Sequence, residues 1–228
     1  MSACHSPAPP ARLWRRPGLL YLLMLLAGLA AGLWPEAIYR PHVADSSPVL
    51  PALPCLAVAQ VAYLLGAHPL VLWSRRQSER FSWRFTVCES ALLAVLAGPL
   101  LLMAAYVSDV GWADVLRTEL ALVLLMPLAW AAGAGAASPA ARSLVSLAML
   151  LVTAGLAATW YVVSEFVPSA DAGVLWQLGA FTYAWDNAAH RGAWYPQPAW
   201  PVLAYLAAGV AWLAVIAMRP RRARVPLA

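Results

Sequence analysis

Long apolar runs separated by short polar connections set the layout of this chain. The runs occupy 17–34, 50–73, 87–107, 119–135, 143–163 and 201–218. Each approaches or meets the length that a helix needs to cross a hydrocarbon layer of about 30 Å. The pattern predicts an all-α membrane protein, a bundle of six transmembrane helices. Residues 1–16 form a basic leader, with Arg12, Arg15 and Arg16 set against the first run, and 219–228 form an arginine-rich tail. A cleaved signal peptide is the competing reading of the first run, because a basic start precedes Leu- and Ala-rich sequence. Within it, Gly28 and Gly32 have the spacing of a face on which helices pack closely.

The connections orient the spans. Translocating arginine is costly, so basic loops stay on the cytoplasmic side. Six spans with both termini inside place Arg12, Arg15, Arg16, Arg75, Arg76, Arg80, Arg84, Arg142, Arg219, Arg221, Arg222 and Arg224 in the cytoplasm. Only Arg40, Arg117 and Arg191 fall outside. Five spans, or an external N-terminus, spoil that partition. Residues 35–49, 108–118 and 164–200 then face outward, and the short 136–142 turn predicts that the fourth and fifth helices are antiparallel neighbours. Trp34, Trp73, Trp112, Trp160 and Trp200 stand near span ends, where an aromatic belt belongs.

Composition agrees and adds exclusions. Hydrophobic residues make up 63% of the 228 positions and charged residues 11%, outside the range of soluble domains. The net charge of +5 comes from arginines at membrane borders, which suits anionic lipid headgroups and not nucleic acid. Lysine is absent. A Walker A phosphate loop and lysine Schiff-base chemistry are therefore excluded, and any ATP that drives the protein is hydrolysed by another subunit. Cys4, Cys55 and Cys88 match no metal-site spacing and no disulfide framework; Cys55 and Cys88 read as small core residues.

Candidate chemistry is sparse. In the long outer connection Val174, Leu175, Leu178, Phe181 and Trp185 recur at helical spacing, with Asp171, Gln177, Thr182 and Asp186 on the other side. They predict either a short amphipathic helix in the outer leaflet or an aromatic-rich loop resting on the bundle. Ser164, Asp171, Asp186 and His190 share the outer face, but no nucleophile-elbow motif accompanies them, so no catalytic residue is assigned and the chain does not read as an enzyme. His42 and His190 are chemically reasonable axial haem ligands, and Trp176, Trp185 and Trp194 surround that idea with aromatics. The tryptophan spacing does not match haem-handling assembly proteins, so neither a cofactor nor a metal is assigned. Inside the spans, His68, Glu89 and Glu119 are the ionisable residues of note, each expected near enough to an interface to reach water.

The strongest charged interruption is 74–86, where Arg75, Arg76, Arg80 and Arg84 stand against Glu79, with Phe81, Trp83 and Phe85 interleaved. Lipid headgroups satisfy arginine alone, whereas interleaved aromatics also supply anchors for a protein interface. This layout resembles the membrane-spanning permease subunits of ATP-binding-cassette transporters of the type-2 exporter class. The resemblance rests on a short basic N-terminus, the charged loop between spans two and three, a tight inner turn at 133–142, a partly helical outer segment before span six, and an arginine-rich tail. Two departures are plain: Ser6-Pro7-Ala8-Pro9-Pro10 breaks an N-terminal interfacial helix, and no glycine follows the Glu79-Arg80 pair. The resemblance implies a permease of the bacterial inner membrane, dimeric with itself or with a sister permease. It also implies a separate cytoplasmic ATPase docked on Arg75, Arg76, Glu79, Arg80, Phe81, Trp83 and Arg84. A membrane assembly factor or scaffold, handling haem on the outer face, is the alternative.

Overall fold

The computed structural model describes residues 17–34, 52–76, 83–136, 138–167, 173–189 and 199–218. Within them every element is a helix and none is a strand. Helix α1 is Pro17–Leu33. Helix α2 runs through Ala52–Val61, a π-helical stretch Ala62–Ala67, and His68–Arg76. Helices α3 (Trp83–Val107) and α4 (Trp112–Gly135) follow. Helix α5 joins Pro139–Leu150, a π-helical Leu151–Gly155, and Leu156–Phe166. Two short helices, α6 (Gly173–Leu178) and α7 (Ala180–Ala189), precede α8 (Trp200–Met218). Five stretches, in α2, α3, α4, α5 and α8, are long and apolar enough to cross a membrane, and α1 is a shorter apolar helix.

Local chemistry explains the boundaries. Ser138 caps α5 by accepting from Ala141 N at 3.1 Å, and Pro139 follows at its first turn, where a missing N–H costs nothing. Helix α3 ends when Asp109 turns to φ 49°, letting Val110 N donate to Ala105 O at 3.0 Å. Helix α4 begins seven residues before the apolar run at 119, because Asp114 sits in its first turn and pairs with Arg117 at 3.2 Å. The polar stretch expected to be a connection is thus the first two turns of a span.

Glycines set the closest crossings, since lipid offers helices no hydrophobic drive to associate beyond packing itself. A Cβ on Gly28 would lie 2.6 Å from Ala59 Cβ and 2.9 Å from Cys55 O. Tyr21, further back on α1, meets Tyr63 further along α2, so the two helices are antiparallel. On α8, a Cβ on Gly209 would lie 2.7 Å from the carbonyl carbon of Pro127 on α4. Trp73 Nε1 donates to Ala132 O at 3.2 Å, fastening the end of α2 to the end of α4. Leu53 N donates to Ser108 Oγ at 3.2 Å, fastening the start of α2 to the end of α3. The core lies along α2, which supplies Leu53, Leu56, Val61, Tyr63 and Leu65, all at most 1% exposed.

Several expectations change. Trp73 is buried and hydrogen-bonded inside the bundle, while Trp34, Trp112 and Trp200 are exposed as a belt requires. Cys88 is exposed and no core residue, whereas Cys55 is half-buried under Gly28. Helices α4 and α5 do not pack along one another despite the short turn. The flanks of α4 are taken by α2, where Leu72 meets Gly133, and by α8, where Trp212 meets Gly135. Helix α5 instead leans on the π-helical part of α2 and on α7, leaving an apolar cleft of about 310 Å³ lined by Leu65, Pro69, Trp73, Val145, Met149 and Thr153.

Candidate functional site

Between α1, α2 and α4 the apolar core is interrupted by a polar cluster. Gln60 stands eight residues into α2 and Glu119 seven residues into α4, roughly 10–12 Å along each helix. Leu72 meeting Gly133, near the other ends of the two helices, shows that α2 and α4 run parallel, so the two residues lie at similar depth. Gln60 is 2% exposed. Its amide faces both the Glu119 carboxyl and the Tyr21 hydroxyl. Yet neither Gln60 Oε1 nor Nε2 completes a hydrogen bond of ordinary geometry, and the buried Glu119 Oε1 completes none either. Tyr21 and Tyr63 pack at 4.7 Å between ring centroids, and Tyr63 reaches the buried His68 ring at 5.9 Å.

The π-helical stretch of α2 organises this cluster. Tyr63, Leu64 and Leu65 within it are all buried, as are Ala52, Leu53 and Pro54 before it and Val71, Leu72 and Trp73 after it, so α2 is enclosed around most of its circumference. Widened, π-helical turns recur at functional sites. The Glu119 side chain itself is only partly buried. Its Oε1 is enclosed by protein. His68 is 1% exposed, and Glu89 8%. Beside Glu89, Ser90 accepts from Trp130 Nε1 at 3.1 Å.

A second polar region ties the α6–α7 hairpin to the bundle. Arg117 Nη2 donates to Asn187 O at 3.0 Å, and Asn187 Nδ2 returns a bond to Arg117 O at 3.4 Å. Tyr205 of α8 donates its hydroxyl proton to Leu178 O, and Trp176 Nε1 donates to the Asp186 carboxylate. The Trp160 and Trp176 rings lie 4.3 Å apart. Burial pushes the Tyr183 phenol above its ordinary value, and the Arg117 guanidinium pulls it partly back. The connection is helical at Gly173–Leu178 and Ala180–Ala189, and residues of both expected faces, Phe181 and Thr182 among them, turn toward the bundle. Ala180, Tyr183, Ala184, Asn187 and Ala188 are buried against α2 and α4, while Val174 and Trp185 from the expected apolar face are exposed. Small residues four apart let α7 approach α2 closely, and that counts for more inside a membrane than hydrophobicity.

The expected docking residues stay apart from both regions. Arg75 and Arg76 end α2, and Trp83 and Arg84 open α3. Their side chains, and Glu79, Arg80 and Phe81 altogether, lie outside the described residues, as do His42, Asp171 and His190. Among the described residues no group of His, Cys, Asp and Glu is placed to hold a metal ion. Gln60, Tyr21 and Tyr63 are not singled out by the sequence. An amide alone within an apolar run is the available signal, and its partners sit on other helices. The chain matches no family model, no curated protein and no solved structure.

Proposed function

We propose that the chain is the membrane-spanning permease subunit of an ATP-binding-cassette transporter, working with a separate cytoplasmic ATPase in a bacterial inner membrane. The observation that carries this reading is the place of the α6–α7 hairpin. It is a helical segment between the last two long helices, seated against α2 and α4 and fixed by Arg117, Asn187 and Tyr205. A helical outer segment before the last span is part of the layout on which the resemblance rests. In this reading α1 is the sixth span. Its 17 residues extend about 25 Å, close to the hydrocarbon thickness, and it lies antiparallel to α2. Both termini are cytoplasmic, and the connection between α2 and α3 is the handle that the ATPase moves. Because α2 runs from that handle through the polar cluster to the hairpin end, a push on it reaches Gln60 and the α7 contact together.

Co-purification tests the proposal. Phe81→Ala combined with Trp83→Ala removes the aromatic anchors and leaves the arginines and the topology in place. The ATPase is lost from detergent pull-downs and ATP hydrolysis by the complex falls, with the membrane level of the permease unchanged. A complex that survives the double substitution at full activity refutes the docking assignment.

A further inference from the structure

The polar cluster has more capacity for hydrogen bonds than the protein fills. Buried polar atoms are almost always paired, so three orphaned atoms converging from two helices, with a phenol from a third, call for an occupant. Gln60 offers an acceptor and a donor, Glu119 a carboxyl oxygen, and Tyr21 a hydroxyl. Among the described residues no cation pairs with Glu119. Arg117, two residues back on α4, is committed to Asp114 and Asn187. The titratable and charged residues on the elements packed around α4 include Tyr21 on α1, Cys55, Tyr63, His68, Arg75 and Arg76 on α2, Arg84, Cys88, Glu89 and Tyr106 on α3, Tyr183 and Asp186 on α7 and Tyr205 on α8. Asp186 accepts from Trp176 Nε1, the arginines stand at the end of α2 and the start of α3, and the His68 ring is tilted against Tyr63 at 5.9 Å between centroids.

A carboxylate with one oxygen, Oε1, enclosed here without a hydrogen bond or counter-ion is penalised, whereas the neutral acid can donate to Gln60 Oε1. The missing occupant therefore carries a single positive charge. A metal cation needs more oxygens than one carboxylate, one amide and one phenol supply, and helical carbonyls are already engaged. We propose that Glu119, held by Gln60 and Tyr21, is an intramembrane proton-binding site that loads and unloads as the bundle moves. The π-helical stretch next to Gln60 is the part of α2 best able to change register, and so to alter the amide's grip on the carboxyl. This inference is independent of the ATPase reading, because it concerns α1, α2 and α4 and not the α2–α3 connection.

An apolar carbodiimide tests it, because this reagent enters membrane interiors and adds to protonated carboxyls. With the full chain in membranes, dicyclohexylcarbodiimide is expected to give a peptide adduct at Glu119 that Glu119→Gln abolishes. A water-soluble carbodiimide with an amine is expected to mark the exposed Glu165 and to spare Glu119. Labelling, followed from about pH 5 to about pH 9, is expected to fall as pH rises through the midpoint of the carboxyl's titration. Gln60→Leu keeps the carboxyl and removes the amide donor, and is expected to move that midpoint to higher pH. A gel-filtration profile like that of the parent shows that each variant is folded. No adduct at Glu119, or labelling that ignores pH across the range, overturns the proposal. Protection by sodium at constant pH overturns it too, and assigns the site to a metal cation.

Discussion

Gly209→Ala probes the packing of α8 directly. The new Cβ would stand 2.7 Å from the Pro127 carbonyl carbon and 2.9 Å from Leu128 Cα, both backbone atoms of α4 that no rotamer change can move. Leu128 N lies closer still, and ordinary contact begins at 3.4 Å, so α8 must retreat by more than the roughly 0.7 Å that the Pro127 carbonyl carbon alone demands. Overpacking of this kind costs about 1–3 kcal/mol. The retreat also lengthens the Tyr205–Leu178 hydrogen bond, worth about 0.5–1.5 kcal/mol. The net loss is about 0.5–3.5 kcal/mol once about 1 kcal/mol of helix propensity regained by alanine is taken off. For a chain of this size each kcal/mol lowers the apparent melting midpoint by about 2–4 °C. Gly98→Ala is the matched control: nothing lies within 4 Å of its Cβ, so it keeps only the propensity gain and is neutral or slightly stabilising. The assay is thermal unfolding in detergent, followed by the monodisperse gel-filtration peak. If Gly209→Ala melts with or above Gly98→Ala, α8 does not cross α4 at Pro127 and this packing is wrong.

Arg117→Ala frees the hairpin from α4 at a cost of about 1 kcal/mol, given the partial exposure of the arginine, and limited proteolysis within 168–198 accelerates; an unchanged cleavage rate refutes the clamp. The same change raises the Tyr183 phenol further above 10.0; its neutral form stabilises the fold below that pH, and the contribution is lost as pH climbs through the raised value. On a cysteine-free background, an impermeant maleimide added to intact cells labels Asp109→Cys and spares Ala140→Cys, both at exposed positions; labelling at 140 reverses the topology. The purified protein shows no Soret band, and a stoichiometric one that vanishes when His42 and His190 both become alanine would promote the haem-handling alternative.

Which segments are helices can be read from the chain alone, because each helix satisfies its own backbone and each apolar run is long enough to say so without neighbours. The stretch at 112–118 reads as a connection because hydropathy sees Asp114 and Arg117 as charges, while the helix sees an acid in its first turn paired one turn on. The arginine partition likewise belongs to the sequence, since the cost of moving a guanidinium across lipid does not depend on tertiary contacts.

How the helices meet is decided by the tertiary structure. Gly28, Gly133 and Gly209 look alike in the sequence, and only the packed bundle shows that Gly209 lies on the backbone of Pro127 and Leu128. The hairpin buries Ala180, Ala184 and Ala188 together with Tyr183 and leaves Val174 and Trp185 exposed. In lipid every apolar face is already at ease, so close approach and not hydrophobicity chooses the interface. The polar cluster is hidden for the same reason: Tyr21, Gln60 and Glu119 are far apart in sequence, and they meet only once α1, α2 and α4 are together.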